Sequence, residues 1–228
     1  MSITYHRDIL QNSEEWFDLR LGKITASVVK QLLTPTFKIA KNDKVRALAY
    51  ELAAQRITGR QTDNFQNWDM ERGHIEEDIA RAYYSKNTGN KVEEVAFIET
   101  DKLSFILGYS PDGLVGDDGL IEIKSRQQKF QVKTFAEQAT PDEYKCQLQT
   151  ALLVTERDWI DFVQFSNGMP LYIERHTKDK DLQAKIIEAC VDFEESITKI
   201  VETYKENSSG LESCEWVEHT RDDEIIGG

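Results

Sequence analysis

Apolar residues recur at helical spacing toward both ends of the chain and gather into short runs in the middle, which predicts helices flanking a group of strands. Asn12-Ser13-Glu14-Glu15-Trp16 reads as a helix start, with Asn12 or Ser13 as cap and Glu15 placed three residues after Asn12, and this short helix stops near Leu21-Gly22. A second helix begins at Thr25 or Ser27 and carries Val28, Val29, Leu32 and Leu33 before Pro35. Pro35 to Asn42 reads as a basic loop, and Asp43 then opens a helix with Val45, Leu48, Ala49, Leu52 and Ala53 on one face, closed at Gly59. After a polar connection from Gln61 to Asn67, the stretch Asp69–Lys86 places Ile75, Ile79, Ala82 and Tyr83 on what reads as a buried helical face.

The pattern then changes to strands, at Lys91–Glu99, Leu103–Tyr109 and Leu120–Ser125, the last two joined through Gly116-Asp117-Asp118-Gly119. Pro141 starts a helix running to about Thr155, and Asn167-Gly168 links two further strands, Trp159–Phe165 and Leu171–His176. A long amphipathic helix from Asp179 to about Asn207 follows. This order predicts an α/β (α+β) fold, a central mixed β-sheet flanked by helices. No repeat or linker divides residues 1–228, so they read as one domain, with the acidic stretch 208–228 expected to be mobile.

Composition narrows the class. With 228 residues, 39% hydrophobic, the chain can bury a substantial core, and a mean hydropathy of −0.55 without a long apolar run argues against a membrane span. The N-terminal sequence lacks the order of a signal peptide, and Cys146, Cys190 and Cys214 form no C-x-x-C pair, so a cytoplasmic location with reduced thiols is expected. The net charge of −13 argues against a nucleic-acid partner when taken as a whole. Its distribution reopens the question: Arg20 to Arg60 carries nine basic residues against two acidic ones, whereas the last 28 residues carry eight acids against two bases.

Candidate chemistry lies in Ser110-Pro111-Asp112-Gly113 and Ile121-Glu122-Ile123-Lys124. Alternation along a strand sends Ile121 and Ile123 to one face and Glu122 and Lys124 to the other. Asp112 and Glu122 supply hard oxygen ligands suited to Mg²⁺, the Ile123 carbonyl can add a third, and Lys124 can hold or deprotonate a metal-bound water. Taken alone, Pro-Asp-Gly is also an ordinary turn and Glu-x-Lys an ordinary solvated strand face.

In order along the chain stand Leu19-Arg20-Leu21-Gly22-x-Ile24-Thr25-Ala26-Ser27, Gly73-x-x-Glu76, Ser110-Pro111-Asp112-Gly113-Leu114, Glu122-Ile123-Lys124 and Gln147-x-Gln149. Together these blocks resemble the lambda-exonuclease type of YqaJ-like viral recombinase, within the PD-(D/E)-x-K nucleases of restriction-endonuclease-like core. The resemblance implies metal ligation by Asp112, Glu122 and the Ile123 carbonyl, catalysis by Lys124, and completion of the site by Glu76. It implies a 5′-phosphate pocket of Arg20, Ser27, Ser110 and Gln147, and an apolar DNA wedge at Met70. His74 departs from the family pattern and is a minor ligand candidate.

The function so implied is a Mg²⁺-dependent 5′→3′ exonuclease with two ions, which Mn²⁺ can replace. It would degrade one strand of linear double-stranded DNA from a 5′-phosphorylated end, releasing mononucleotides and leaving a 3′ strand for annealing recombination. Implied partners are DNA ends, a ring-shaped homotrimer and a phage single-strand annealing protein, in a bacterial host cytoplasm and without membrane. The alternatives are a sequence- or structure-specific endonuclease on the same core and a non-catalytic DNA-end-binding protein.

Overall fold

In the computed structural model the described residues are 2–61 and 68–217, the side chains of 68–74 excepted. The chain opens with β1 (Ile3–His6), α1 (Glu14–Arg20), β2 (Ile24–Thr25), α2 (Ala26–Leu32), α3 (Asp43–Thr58) and α4 (Trp68–Thr88). Short strands follow: β3 (Val92–Glu93), β4 (Phe97–Thr100), β5 (Leu107–Tyr109), β6 (Gly113–Val115) and β7 (Gly119–Ser125). The remainder is α5 (Gln128–Glu137), α6 (Asp142–Thr155), β8 (Trp159–Phe165), β9 (Tyr172–Thr177) and α7 (Lys180–Asn207).

Helix starts and stops follow local chemistry. The side chains of Ser13, Asn42 and Asp179 accept from the backbone N–H groups of Trp16, Val45 and Leu182, capping α1, α3 and α7. Gly59 ends α3 in the left-handed conformation, at φ 66°.

The strands form two mixed sheets, β1-β4-β5-β2 and β3-β6-β7-β8-β9, where a single central sheet was expected. Lys91–Glu99 does not run as one strand: β3 pairs with β6, while β4 pairs with β1 and β5. The Gly116–Gly119 turn joins β7 to β6 instead of to Leu103–Tyr109. Strand β6 is hidden in sequence because its first residue, Gly113, looks like a turn glycine. A Cβ there would lie 2.2 Å from Val92 Cγ1, so glycine serves close strand approach.

Three further elements, β1, β2 and α5, lie outside the sequence expectation. The buried residues of α5 are polar: Gln131 and Gln164 exchange side-chain and backbone hydrogen bonds, and Thr134 donates to Gln164. Its Phe130, Val132 and Phe135 are exposed, so hydrophobic periodicity gives α5 no signal.

The largest correction concerns α4. Ile75 and Tyr83, expected to be inward, are 65% and 51% exposed, and Ile79 is exposed too. Ala80 and Tyr84 are the fully buried residues, packed against Val115, Ile121, Ile123, Val163 and Phe165 of the five-stranded sheet. The inward face therefore runs through Glu77, Ala80, Arg81 and Tyr84. Tyr84 also donates to Asp161 of β8 at 2.7 Å.

Leu120, Ile160 and Phe162 join the larger core with α2, α3, α6 and α7. Strand β7 is thus covered on both faces: Ile121 and Ile123 pack toward α4, and Leu120 lies on the side of α6. Among the described residues, no helix is long and apolar enough to cross a membrane.

The basic segment is partly neutralised. Lys23 pairs with Glu99, Lys41 approaches Asp192, Arg46 pairs with Asp43 and Arg56 binds Glu194 through both terminal nitrogens. Lys30, Lys38 and Lys44 have no ion pair among the described residues.

Candidate active site

Strand register brings the Pro-Asp and Glu-x-Lys blocks together. Gly113 of β6 lies opposite Ile121 of β7, so Glu122–Ser125 run on past the start of β6. The Ile123 N–H, left without a β6 partner, donates to Asp112 Oδ2 at 2.5 Å. Because N–H and C=O of one strand residue point to the same side, the Ile123 carbonyl faces the same vacated edge. The β7–β8 pairing holds the opposite edge of this segment, with Ile123 against Val163.

Glu122 is 1% exposed and fully engaged. Tyr109 donates to its Oε2 at 2.8 Å, while Lys124 Nζ and Gln147 Nε2 donate to its Oε1 at 2.6 and 2.5 Å. What could have been a solvated strand face is roofed by α6, whose Tyr144 stacks on Phe162.

Burial, together with the charges of Glu122 and Glu77, raises Asp112 well above the usual carboxylate range. Burial also raises Glu77, with Arg81 opposing and Glu122 reinforcing the shift. For Lys124, burial pulls downward but the charges of Glu122, Asp112 and Glu77 outweigh it, so its pKa rises and the amine stays protonated at neutral pH. The Tyr109 hydroxyl, buried beside Glu122, is raised far above its ordinary value and acts as a donor.

The third carboxylate of this cluster is Glu77, where the sequence points to Glu76. The Glu76 side chain instead accepts from Ser125 and borders an open cleft of about 420 Å³ with Arg126, Gln127, Lys129 and Ser166. Glu77 is held at 2.7 Å by Arg81, whose Nε also donates to the Asp112 carbonyl at 3.0 Å. Sequence reasoning missed Glu77, Arg81 and Tyr109. The available signals were the neighbouring Glu-Glu pair, Arg81 four residues after Glu77, and a tyrosine directly before Ser110.

Of the phosphate-pocket candidates, Arg20 and Ser110 meet directly: Arg20 Nη1 donates to Ser110 Oγ at 2.6 Å. The guanidinium also lies 4.3 Å over the Trp16 ring, and burial lowers its pKa to about 10, leaving it charged at neutral pH. Strands β2 and β5 are parallel, with Thr25 opposite Gly108, so Ser27 and Ser110 each stand two residues beyond that pair. Ser27 is exposed and its hydroxyl lies 3.1 Å from Thr25 Oγ1. Gln147 sits on Glu122, one step inside the cluster. Met70 and His74 belong to α4, but their side chains lie outside the described residues.

The donor set fits a hard divalent cation. Asp112, Glu122 and Glu77 offer oxygens, and Asp112 and Glu77 are raised chiefly by burial and further by Glu122, a setting in which a bound cation would favour the ionised carboxylates. Among the described residues, no three His, Cys, Asp or Glu side chains already converge as a metal cage. Glu122 Oε1 would have to exchange Lys124 or Gln147 for an ion.

The YqaJ-like viral recombinase domain profile matches residues 15–158. The chain is 36% identical to an alkaline exonuclease, LHK-Exo, from Laribacter hongkongensis, over 88% of this chain and 100% of that one, with a TM-score of 0.79. A second structure of LHK-Exo, in complex with dAMP, matches with the same values. A phage-related exonuclease from Haemophilus somnus 129PT shares the fold at a TM-score of 0.58 and 15% identity, over 80% of this chain and 96% of its own. Among curated proteins, none matches the chain.

Proposed function

The chain belongs to the YqaJ-like viral recombinase family, and from that premise we propose that it is a Mg²⁺-dependent 5′→3′ exonuclease acting on linear double-stranded DNA. The observation that carries the reading is the cluster of Asp112, Glu122 and Glu77 around Lys124, with Arg20 of α1 donating to Ser110, two residues before Asp112. The dAMP bound to LHK-Exo is a nucleoside monophosphate, the product class this reaction releases.

Asp112, Glu122, the Ile123 carbonyl and Glu77 would hold the metal, in this reading two ions. Bound there, Mg²⁺, or Mn²⁺ in its place, supplies Lewis acidity and lowers the pKa of water. Lys124 remains an ammonium in the resting cluster and orients the attacking water or the scissile phosphate by donating to oxygen. Tyr109 and Gln147 hold the Glu122 carboxylate in one orientation. Arg20 and Ser110, with Ser27 beyond β2, would seat the terminal 5′-phosphate and place the first phosphodiester at the carboxylates.

Mononucleotides leave and a 3′ single strand remains for an annealing protein. A homotrimer around DNA is part of this reading.

The test is digestion of a linear duplex labelled separately at each 5′ and 3′ end, with Mg²⁺, Mn²⁺ or EDTA, beside a covalently closed circle. Early release of 5′-labelled mononucleotide, dependence on the metal and an intact circle are expected. Cleavage of the circle, or loss of label from 3′ ends first, overturns the proposal.

A further inference from the structure

Asp112 lies at a joint between the two sheets. Strand β5 ends at Tyr109 in one sheet and β6 begins at Gly113 in the other, so Ser110-Pro111-Asp112 belong to neither ladder. Carbonyls in such a joint need donors from elsewhere. Gln11 Nε2 donates to the Pro111 carbonyl at 2.8 Å, and Arg81 Nε donates to the Asp112 carbonyl at 3.0 Å.

Arg81 does more than fill that place. Its side chain is 13% exposed, and its Nη2 donates to Glu77 Oε1 at 2.7 Å. Its Nη1 reaches Asp78 at 2.7 Å and Glu94 at 3.3 Å, both highly exposed carboxylates that contribute little. The two remaining contacts join the main chain that aims Asp112 to a carboxylate on α4. Serving both at once requires a planar fork of N–H groups, which lysine lacks. Farther along α4, Tyr84 is tied to Asp161 of β8, whereas Arg81 links this helix to the joint itself.

We propose that Arg81 is a positioning residue that latches the inter-sheet joint to α4, setting the separation of Asp112 and Glu77 and thereby the affinity of the site for a divalent cation. The proposal rests on the metal-site reading above and adds a residue that touches neither ion nor DNA. Outer residues that orient metal ligands are typically worth about 10–100-fold in metal affinity.

The test is Mn²⁺ binding to the full chain by calorimetry without DNA, beside nuclease rates as a function of metal concentration, for Arg81→Lys, Arg81→Gln, Glu77→Gln and the Glu77→Gln/Arg81→Gln pair. Arg81→Lys keeps the positive charge that Glu77 needs and removes only the fork, so it keeps the test decisive should Arg81→Gln fold poorly. Expected are an affinity for Mn²⁺ about 10–100-fold weaker in both Arg81 variants, rates that recover at saturating metal, and a double variant no weaker than Glu77→Gln. Unchanged Mn²⁺ affinity in a folded Arg81→Lys, or rates that stay low at saturating metal, overturns the latch. Failure of the metal-site reading is separately visible, because Asp112→Asn would then bind Mn²⁺ as the wild type does.

Discussion

The Tyr109 hydroxyl donates to Glu122 Oε2 at 2.8 Å, so a side chain from the four-stranded sheet orients a carboxylate of the five-stranded sheet. Glu122 is almost wholly buried, and removing the donor leaves an acceptor without water to replace it. Tyr109→Phe should therefore cost about 1–3 kcal/mol of stability. A drop in turnover of roughly tenfold should accompany it, since the released carboxylate can rotate away from its productive orientation. Urea unfolding and steady-state kinetics on the same preparation check both. Lost stability with unchanged turnover would confine Tyr109 to a packing role.

Neighbouring glutamates on α4 separate two readings of the site. Glu77 acts electrostatically on Asp112 and Lys124, whereas Glu76 is turned to Ser125. Glu77→Gln should lower the rate at fixed Mg²⁺ by about 100-fold, the upper end of what loss of a metal-site partner costs, and Glu76→Gln by no more than about threefold. Parallel single-turnover assays decide, and the reverse order would return the role to Glu76.

That one-residue difference shows where sequence stops being legible. The face of α4 was read from Ile75, Ile79 and Tyr83, the largest apolar residues at helical spacing, yet these are the exposed ones. The face that packs carries Ala80, Tyr84 and charged groups, whose burial depends on partners from β6, β7 and β8 that no local pattern reveals. Strand β7 is legible because Ile121 and Ile123 alternate with Glu122 and Lys124 at a period of two, and the starts of α1, α3 and α7 because the polar residues that open them act locally. Strand β6 and helix α5 are not. In one a glycine serves close packing, and in the other Gln131 and Thr134 are buried by hydrogen bonding instead of hydrophobicity.

Stability of the metal-free protein should fall with rising pH. Burial and the neighbouring Glu122 and Glu77 raise Asp112 above the roughly 3.9 of an unfolded aspartate. Between those values the folded state keeps a proton that the unfolded chain has lost, so stability is full below the lower value and declines as pH climbs through the higher. Glu77, raised mainly by burial, acts in the same direction. Lys124 is raised too, and its contribution is lost only at strongly alkaline pH. Melting in EDTA should show a lower Tm at about pH 8 than at about pH 5, a flatter profile for Asp112→Asn, and a larger gain from added Mg²⁺ at the higher pH. A wild-type profile as flat as that of Asp112→Asn would remove the carboxyl from this role.

Arg20 should discriminate between DNA ends. It is partly buried over Trp16, donates to Ser110 at 2.6 Å and is still charged at neutral pH because burial lowers its pKa only to about 10. A guanidinium already desolvated and held in place gives a terminal phosphate a charge-assisted hydrogen bond worth about 1.5–3 kcal/mol. That corresponds to roughly 10–150-fold in kcat/KM. A 5′-hydroxyl end presents no such anion, so Arg20→Ala should lower kcat/KM on 5′-phosphorylated duplex by this factor and change the 5′-hydroxyl value little. Arg20→Lys should keep part of the preference, since the charge remains but the fork that also serves Ser110 does not. Paired assays on duplexes identical except at the 5′ end measure the ratio, and equal losses on both ends would mean that Arg20 supports the fold around Ser110 without reading the phosphate.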